Sequence, residues 1–147
     1  MEMSQTKEEG SGQGASRAPK IVFVLLVDGD SDFCQSMKSV LRASRGMETV
    51  VEMADSAALA MQMFNAGFVP DAIFCGSKIQ DMEAENFFGW IQRTYPEWVN
   101  RFCMMLDGCE DSEQAIELKK SGCKCMEKVG FEERIEKALL KILADKR

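Results

Sequence analysis

Apolar residues along this chain fall into short continuous runs separated by polar turns. The first run, residues 21–27, contains only Ile, Val, Phe and Leu and follows a polar stretch. Such a run is typical of a strand buried on both faces, because neighbouring side chains of a strand point to opposite sides of the sheet. Four further strands are predicted at residues 49–53, 72–75, 102–106 and 125–127.

Between these runs, apolar side chains recur at the three- and four-residue spacing of an amphipathic helix. Phe33, Met37 and Leu41 show this spacing directly after the first strand. Helices are predicted at residues 33–43, 113–120 and 131–143. A further helix is predicted to begin at a cap formed by Asp55 or Ser56 and to end at Gly67, and another to include residues 87–91 and to end near Pro96.

Strands that alternate with helices in this way predict an α/β fold. We expect one domain over residues 20–147, with a mostly parallel five-stranded sheet, helices on both faces and right-handed crossovers. Residues 1–19 are rich in Gly, Ser, Gln and Glu, and they predict a disordered tail because they offer little apolar surface to bury.

Polar residues and glycines follow the strands at the points where the strands end. The carboxyl ends of parallel strands meet at one edge of the sheet, where functional groups collect. The residues predicted to share this edge are Asp28, Gly29, Asp30, Gly76, Leu106, Asp107 and Lys128. Lys128 is the natural counter-ion for Asp28, and the pair is expected to hold two loops together.

These positions resemble the receiver domain of response regulators over about residues 20–145. The resemblance implies a flavodoxin-like doubly wound (βα)5 fold whose five-stranded parallel sheet has the order 2-1-3-4-5. The matching pieces are residues 27–30, residues 70–76 and Lys128. The run Pro-Asp-Ala-Ile-Phe-Cys-Gly at 70–76 is similar to the family's Pro-Asp-x-Ile-x-x-Asp, with the last residue changed. In receivers that last aspartate accepts a phosphoryl group, and a magnesium ion held by it and by an acidic pair neutralises the developing charge.

The chain departs from the receiver pattern at most positions that carry this chemistry. Gly76 stands at the phosphoacceptor position, and Gly29 replaces one member of the acidic pair. Leu106 stands where receivers place a Thr or Ser, Cys125 replaces the switching aromatic, and Val129 follows the lysine in place of proline. With two of three carboxylates missing, the resemblance implies a poor magnesium site, no catalytic residues and no cofactor.

The resemblance therefore implies a pseudo-receiver, a non-catalytic domain that binds a protein partner in signal transduction without being phosphorylated. An alternative is an atypical receiver phosphorylated at another acidic residue such as Asp107. A further alternative is a small-molecule binder at the switch point of the sheet, which the lack of a Gly-rich phosphate loop disfavours.

A partner surface is implied at the face of the fourth helix, the fifth strand and the fifth helix, where receivers commonly dimerise or dock. The occupant is expected to be another signalling protein or a second copy of the chain. The candidate contact residues on or near this face are Lys119, Lys120, Cys125, Phe131 and Trp98.

Charge and composition exclude several other functions. The net charge is −6, from 18 basic and 24 acidic side chains, which argues against direct binding to nucleic acid. The absence of histidine removes histidine-based nucleophile pairs and metal ligation. No segment reads as a signal peptide or a membrane span, so we expect a cytoplasmic protein with reduced thiols. Zinc held by Cys109, Cys123 and Cys125 is a less favoured alternative to inert thiols, because the C-x₂-C spacing is lacking.

Overall fold

The computed structural model describes residues 20–44, 46–77, 79–108 and 112–145. The predicted tail at residues 1–19 lies outside this part, as does Cys109. The strands are β1 (Lys20–Val27), β2 (Met47–Ala54), β3 (Ala72–Gly76), β4 (Phe102–Leu106) and β5 (Lys124–Glu127). The α-helices are α1 (Ser31–Arg42), α2 (Ala57–Asn65), α3 (Ala84–Thr94), α4 (Glu113–Lys120) and α5 (Ile135–Asp145).

All five strands of the sheet are parallel and lie in the order β2-β1-β3-β4-β5, which confirms the predicted topology. The register sets Val27 beside Cys75 and Leu106 beside Glu127. The carboxyl ends of β1, β3, β4 and β5 consequently meet at one edge, as expected for an open α/β sheet.

Side chains of alternating strand residues form a core on each face of the sheet. Val24 and Leu26 of β1 pack towards α1 and α5, whereas Leu25 and Val27 pack towards α2, α3 and α4. Both faces are covered by helices, which explains why the strands read as continuous apolar runs in the sequence.

Side-chain caps fix where the helices begin. Ser56 accepts a hydrogen bond from the amide of Leu59, so the cap of α2 is Ser56 and not Asp55. Asp30 caps α1 by accepting from the amide of Phe33 at 3.1 Å. The loop after β1 therefore runs directly into α1.

The described residues also form 3₁₀ helices at Pro96–Arg101 and Phe131–Glu133. The second of these corrects the prediction of one continuous helix over residues 131–143, because α5 begins only at Ile135. Gly130 lies directly before the 3₁₀ helix Phe131–Glu133 and has a φ of 76°, a left-handed conformation that suits glycine. Within the described ranges, every helix is too short or too polar to cross a bilayer.

Candidate functional site

Asp28 lies directly after β1 and is only 4% exposed. Its amide donates to the carbonyl of Ala54 at 3.0 Å, which continues the pairing of β1 with β2. The carboxylate oxygen Oδ1 accepts from the amide of Asp30 at 2.9 Å, and Oδ2 lies 3.0 Å from Nζ of Lys128. Both oxygens are therefore satisfied by the protein itself.

Lys128 is held in place by its main chain and its side chain. Its amide donates to the carbonyl of Leu106 at 2.8 Å, which anchors the end of β5 to β4. Its ammonium lies 4.3 Å from the ring centroid of Phe33, a cation–π distance, and that ring packs edge-on against Phe131 at 5.0 Å. The predicted pairing of Lys128 with Asp28 is confirmed.

Gly76 ends β3 directly beside the Asp28 carboxyl group. A Cβ atom built on Gly76 would lie 2.7 Å from Cγ of Asp28 and closer still to Oδ2. Contacts under 3.0 Å essentially do not occur for real Cβ atoms. The Asp28 carboxyl thus occupies the space that a side chain at position 76 would need.

The magnesium ion that receivers bind does not fit this set of residues. Gly29 and Gly76 contribute no side-chain oxygen, and Asp30 uses Oδ1 to cap α1. The Asp28 carboxylate is already bonded to Lys128 and to a main-chain amide. Across the described part of the chain, no cluster of three or more Cys, Asp or Glu side chains is arranged to hold a metal ion.

Asp107 borders the same edge of the sheet, as predicted. It is exposed, and its Oδ2 accepts a hydrogen bond from Oγ of Ser77 at 3.3 Å. Together with Lys128, Val129 and other residues it lines an open cleft of about 300 Å³. Asp107 and Glu132 are thus two exposed carboxylates that line this cleft, and Asp107 lies directly beyond the end of β4.

Glu127 makes a contact that the sequence did not point to. Its Oε1 accepts from the amide of Gly108 at 2.9 Å, and within the described structure its buried Oε2 has no hydrogen-bond partner. Leu106 is 3% exposed and packs in the core. The loop after β4 is therefore braced by a carboxylate on β5, with an apolar side chain at the position where receivers carry a hydroxyl.

Asp81 also has a role that sequence reasoning missed. Its Oδ1 accepts from the amide of Ala57 and its Oδ2 from the amide of Ala58, each at 2.9 Å. The hydrogen bond from Ala57, and to a lesser extent the one from Ala58, lowers the pKa of Asp81 below its ordinary value of 3.8. Desolvation opposes this effect, but it is smaller than the effect of the Ala57 bond. Asp81 thus fastens the loop after β3 to the first turn of α2.

Four thiols of the described residues are buried and have raised pKa values, namely those of Cys34, Cys75, Cys103 and Cys123. Burial, with a contribution from the nearby Asp28 carboxylate, raises the pKa of Cys34 to about 11. Burial raises the pKa of Cys103 to about 12 and that of Cys75 further. A hydrogen bond with Cys125 and burial raise that of Cys123. These thiols are poor nucleophiles near neutral pH. The zinc alternative involves Cys109, which lies outside the described residues.

The candidate partner surface needs one correction. Trp98 is 5% exposed and stacks on Tyr95 at 3.9 Å, and Phe131 is 6% exposed against Phe33. Neither ring is available as a surface anchor, because each completes an aromatic cluster of the core. Lys119 and Lys120 are exposed at the end of α4, and Cys125 is half-buried on β5.

Comparison with known proteins by sequence finds no relative: no family model matches the chain, and no curated protein matches it. Comparison of structures does find similar proteins. A response regulator receiver domain protein from Clostridium thermocellum has a TM-score of 0.74 at 16% identity, over 85% of this chain and 96% of that one.

Two further solved structures show the same likeness. The beryllofluoride-activated receiver domain dimer of NtrC4 has a TM-score of 0.71 at 21% identity, over 85% of this chain and 98% of that one. The signal receiver domain of an HD domain-containing protein from Pseudomonas fluorescens Pf-5 has a TM-score of 0.70 at 17% identity, over 90% and 91% of the two chains. At these identities the likeness concerns architecture: the chain has the fold of a response regulator receiver domain.

Proposed function

We propose that this chain is a pseudo-receiver, a domain that binds a protein partner in a signalling pathway and does so without being phosphorylated. The observation that carries the proposal is the position of the Asp28 carboxyl. It fills the space beside Gly76 and is neutralised by Lys128 at 3.0 Å. The Asp28 carboxylate and the Lys128 ammonium, which in a receiver would act at the phosphorylation site, thus form an ion pair with each other.

The chemistry of phosphoryl transfer supports this proposal. The reaction needs a nucleophilic oxygen and cations that stabilise the charge on the phosphoryl oxygens. Gly76 has no side chain to attack phosphorus, and the charge of Lys128 is already balanced by a buried carboxylate. A phosphoryl group would have to displace that ion pair and leave Asp28 buried without its partner, which is costly.

The residues that would relay a phosphorylation signal are also changed. Leu106 is buried and has no hydroxyl to follow a phosphoryl oxygen. The loop after β4 is instead fastened by Glu127 to the amide of Gly108. We infer that the domain keeps one conformation at this edge, and that partner binding takes place on the face formed by α4, β5 and α5.

The test is a titration with magnesium and beryllium fluoride, a phosphoryl mimic, followed by amide NMR. The amides of Gly76, Asp107 and Lys128 serve as reporters, because Asp107 and Lys128 line the cleft and Gly76 lies against the Asp28 carboxyl. We expect no saturable shift at these amides, with magnesium alone and fluoride alone as controls. Saturable shifts that spread from this edge to α4 and α5 would overturn the proposal.

One alternative is favoured by a specific observation. Asp107 is exposed, lines the cleft with Lys128 and directly follows β4, so it is a candidate for a substitute acceptor. If beryllium fluoride produces shifts, the Asp107→Asn variant identifies the acceptor. Shifts that vanish in this variant support an atypical receiver, whereas shifts that persist point to another small-molecule site.

A further inference from the structure

We propose that the outer edge of β5 takes an acidic, extended peptide segment of the partner, which adds to the sheet as a further strand. This inference rests on the proposed function, because it names the kind of partner that the interaction domain recognises. The site, called here the β5 groove, is a cavity of about 300 Å³ between α4 and α5. Its floor includes Cys125, Met126 and Ile142, and its rim consists of Lys119, Lys124 and Lys141.

The floor of the β5 groove is apolar. Met126 and Ile142 are buried there, and Cys125 is half-buried. On α4, outside the lining of the cavity, Ile116 lies three residues before Lys119 on the same face of the helix and is 46% exposed. The groove is therefore able to bury an apolar side chain of about the size of valine or leucine.

The rim of the β5 groove is basic on a chain whose net charge is −6. Lys119 and Lys141 are exposed. Lys124 is partly neutralised, because its Nζ lies 3.3 Å from Oδ2 of Asp145 and donates to the carbonyl of Asn100 at 3.1 Å. Lysines on both sides of an apolar floor favour a ligand with carboxylates on either side of an apolar residue.

The backbone of β5 supplies the third element of recognition. Among the described strands, β5 pairs with β4 and has no strand on its other side. The amide of Lys128 points to β4, where it donates to Leu106, so the alternation along the strand turns the main-chain groups of Glu127 outwards. An extended peptide satisfies such an edge through main-chain hydrogen bonds and places alternate side chains over the groove.

The test uses the full chain and a synthetic peptide that alternates valine with glutamate. We expect saturable amide shifts at Cys125 and Glu127 and along the adjoining faces of α4 and α5. The affinity should fall as ionic strength rises from about 0.05 M to about 0.5 M, because salt screens the lysine–glutamate attraction. A matched peptide that alternates valine with lysine should produce no such shifts.

Charge reversal identifies the site. The Lys119→Glu, Lys141→Glu double variant should bind the acidic peptide about tenfold more weakly, since it reverses two exposed rim charges. Lys137→Glu is the matched control, because Lys137 is exposed on α5 but does not line the β5 groove. All three positions are on the surface, so the variants are expected to fold.

Three results would overturn the inference: no saturable shift at β5, equal binding of the basic peptide, or equal effects of the double variant and Lys137→Glu. Shifts at β5 that depend on protein concentration without peptide, with a dimer mass by light scattering, would assign the groove to a second copy of the chain instead. None of these results bears on the beryllium fluoride experiment, so the proposed function stands or falls separately.

Discussion

The carboxyl group of Asp28 and the main chain of Gly76 pack so closely that position 76 accepts no side chain without rearrangement. We therefore expect Gly76→Ala to lower the free energy of unfolding by about 2 kcal/mol, because the added methyl group overpacks a buried site. Urea denaturation followed by tryptophan fluorescence measures this loss.

Gly89→Ala is the control for this substitution. Gly89 lies within α3, and the added Cβ would meet the flexible Arg93 guanidinium at 3.3 Å. Alanine favours a helix by about 1 kcal/mol over glycine, so this variant should be neutral or more stable. The loss from Gly76→Ala should also shrink in an Asp28→Ala background. Equal losses in both backgrounds would contradict the proposed packing.

Removing the charge of Lys128 should destabilise the fold strongly. Lys128→Met leaves Asp28 charged, 4% exposed and without its ion-pair partner, which should cost about 3 kcal/mol. Lys124→Met is the matched control, since its partner Asp145 is 44% exposed and the loss should stay under about 1 kcal/mol. Thermal and urea unfolding measure the loss of stability in both variants. Similar losses would show that the buried Asp28–Lys128 pair stabilises the fold no more than the more exposed Lys124–Asp145 pair does.

The attachment of Asp81 to α2 should make stability depend on pH in the acidic range. Because the folded protein lowers the pKa of Asp81, its contribution is present above about pH 4 and is lost as pH falls through the lowered value. Asp81→Asn should cost about 1 kcal/mol at pH 7, as for a lost helix cap, and less at pH 3. Ser56→Ala removes an uncharged cap of the same helix, so its loss should show no such dependence. A loss from Asp81→Asn that does not change with pH would argue against the ionised contact.

Thiol reactivity should follow burial and pKa. With a pKa of about 11, only about one part in a thousand of Cys34 is thiolate at pH 8. We expect iodoacetamide to label the half-buried Cys125 well before Cys34 or Cys103 in the folded protein. Mass spectrometry of a Cys109→Ser variant measures the order, and urea should remove the differences. Early labelling of Cys34 would show that α1 opens more readily than its packing indicates.

Local patterns in the sequence predicted the alternation of strands and helices and the residues at the carboxyl edge. The strand order was predictable only from the resemblance to receivers. Apolar runs located the strands, and the register then brought Asp28 and Lys128 together across 100 residues. The packing of Asp28 against Gly76 was not predictable, because it depends on the side-chain conformation of Asp28. The attachment of Asp81 to Ala57 escaped notice for a similar reason, since it joins loops 24 residues apart.

The aromatic residues illustrate the same limit. Trp98 lies near Pro96 and was a candidate docking anchor, because aromatic side chains often serve in interfaces, with burial in the core as the alternative. In the structure, the 3₁₀ helix Pro96–Arg101 turns the indole inwards, where it stacks on Tyr95 and meets Phe64 edge-on at 5.1 Å. The periodicity of α-helices and strands does not reveal a 3₁₀ segment of this kind, because it is too short to show a repeat.

The contact between Asp28 and Gly76 also constrains which mutational paths are open to this chain. An aspartate introduced at position 76 alone would meet the Asp28 carboxyl, which the chain already uses to balance Lys128. A substitution at position 28 alone would leave the lysine without its counter-ion. Each single substitution is therefore unfavourable by itself, so the two positions are expected to vary together. Glycine should be retained at position 76 wherever the carboxyl group of residue 28 takes this orientation.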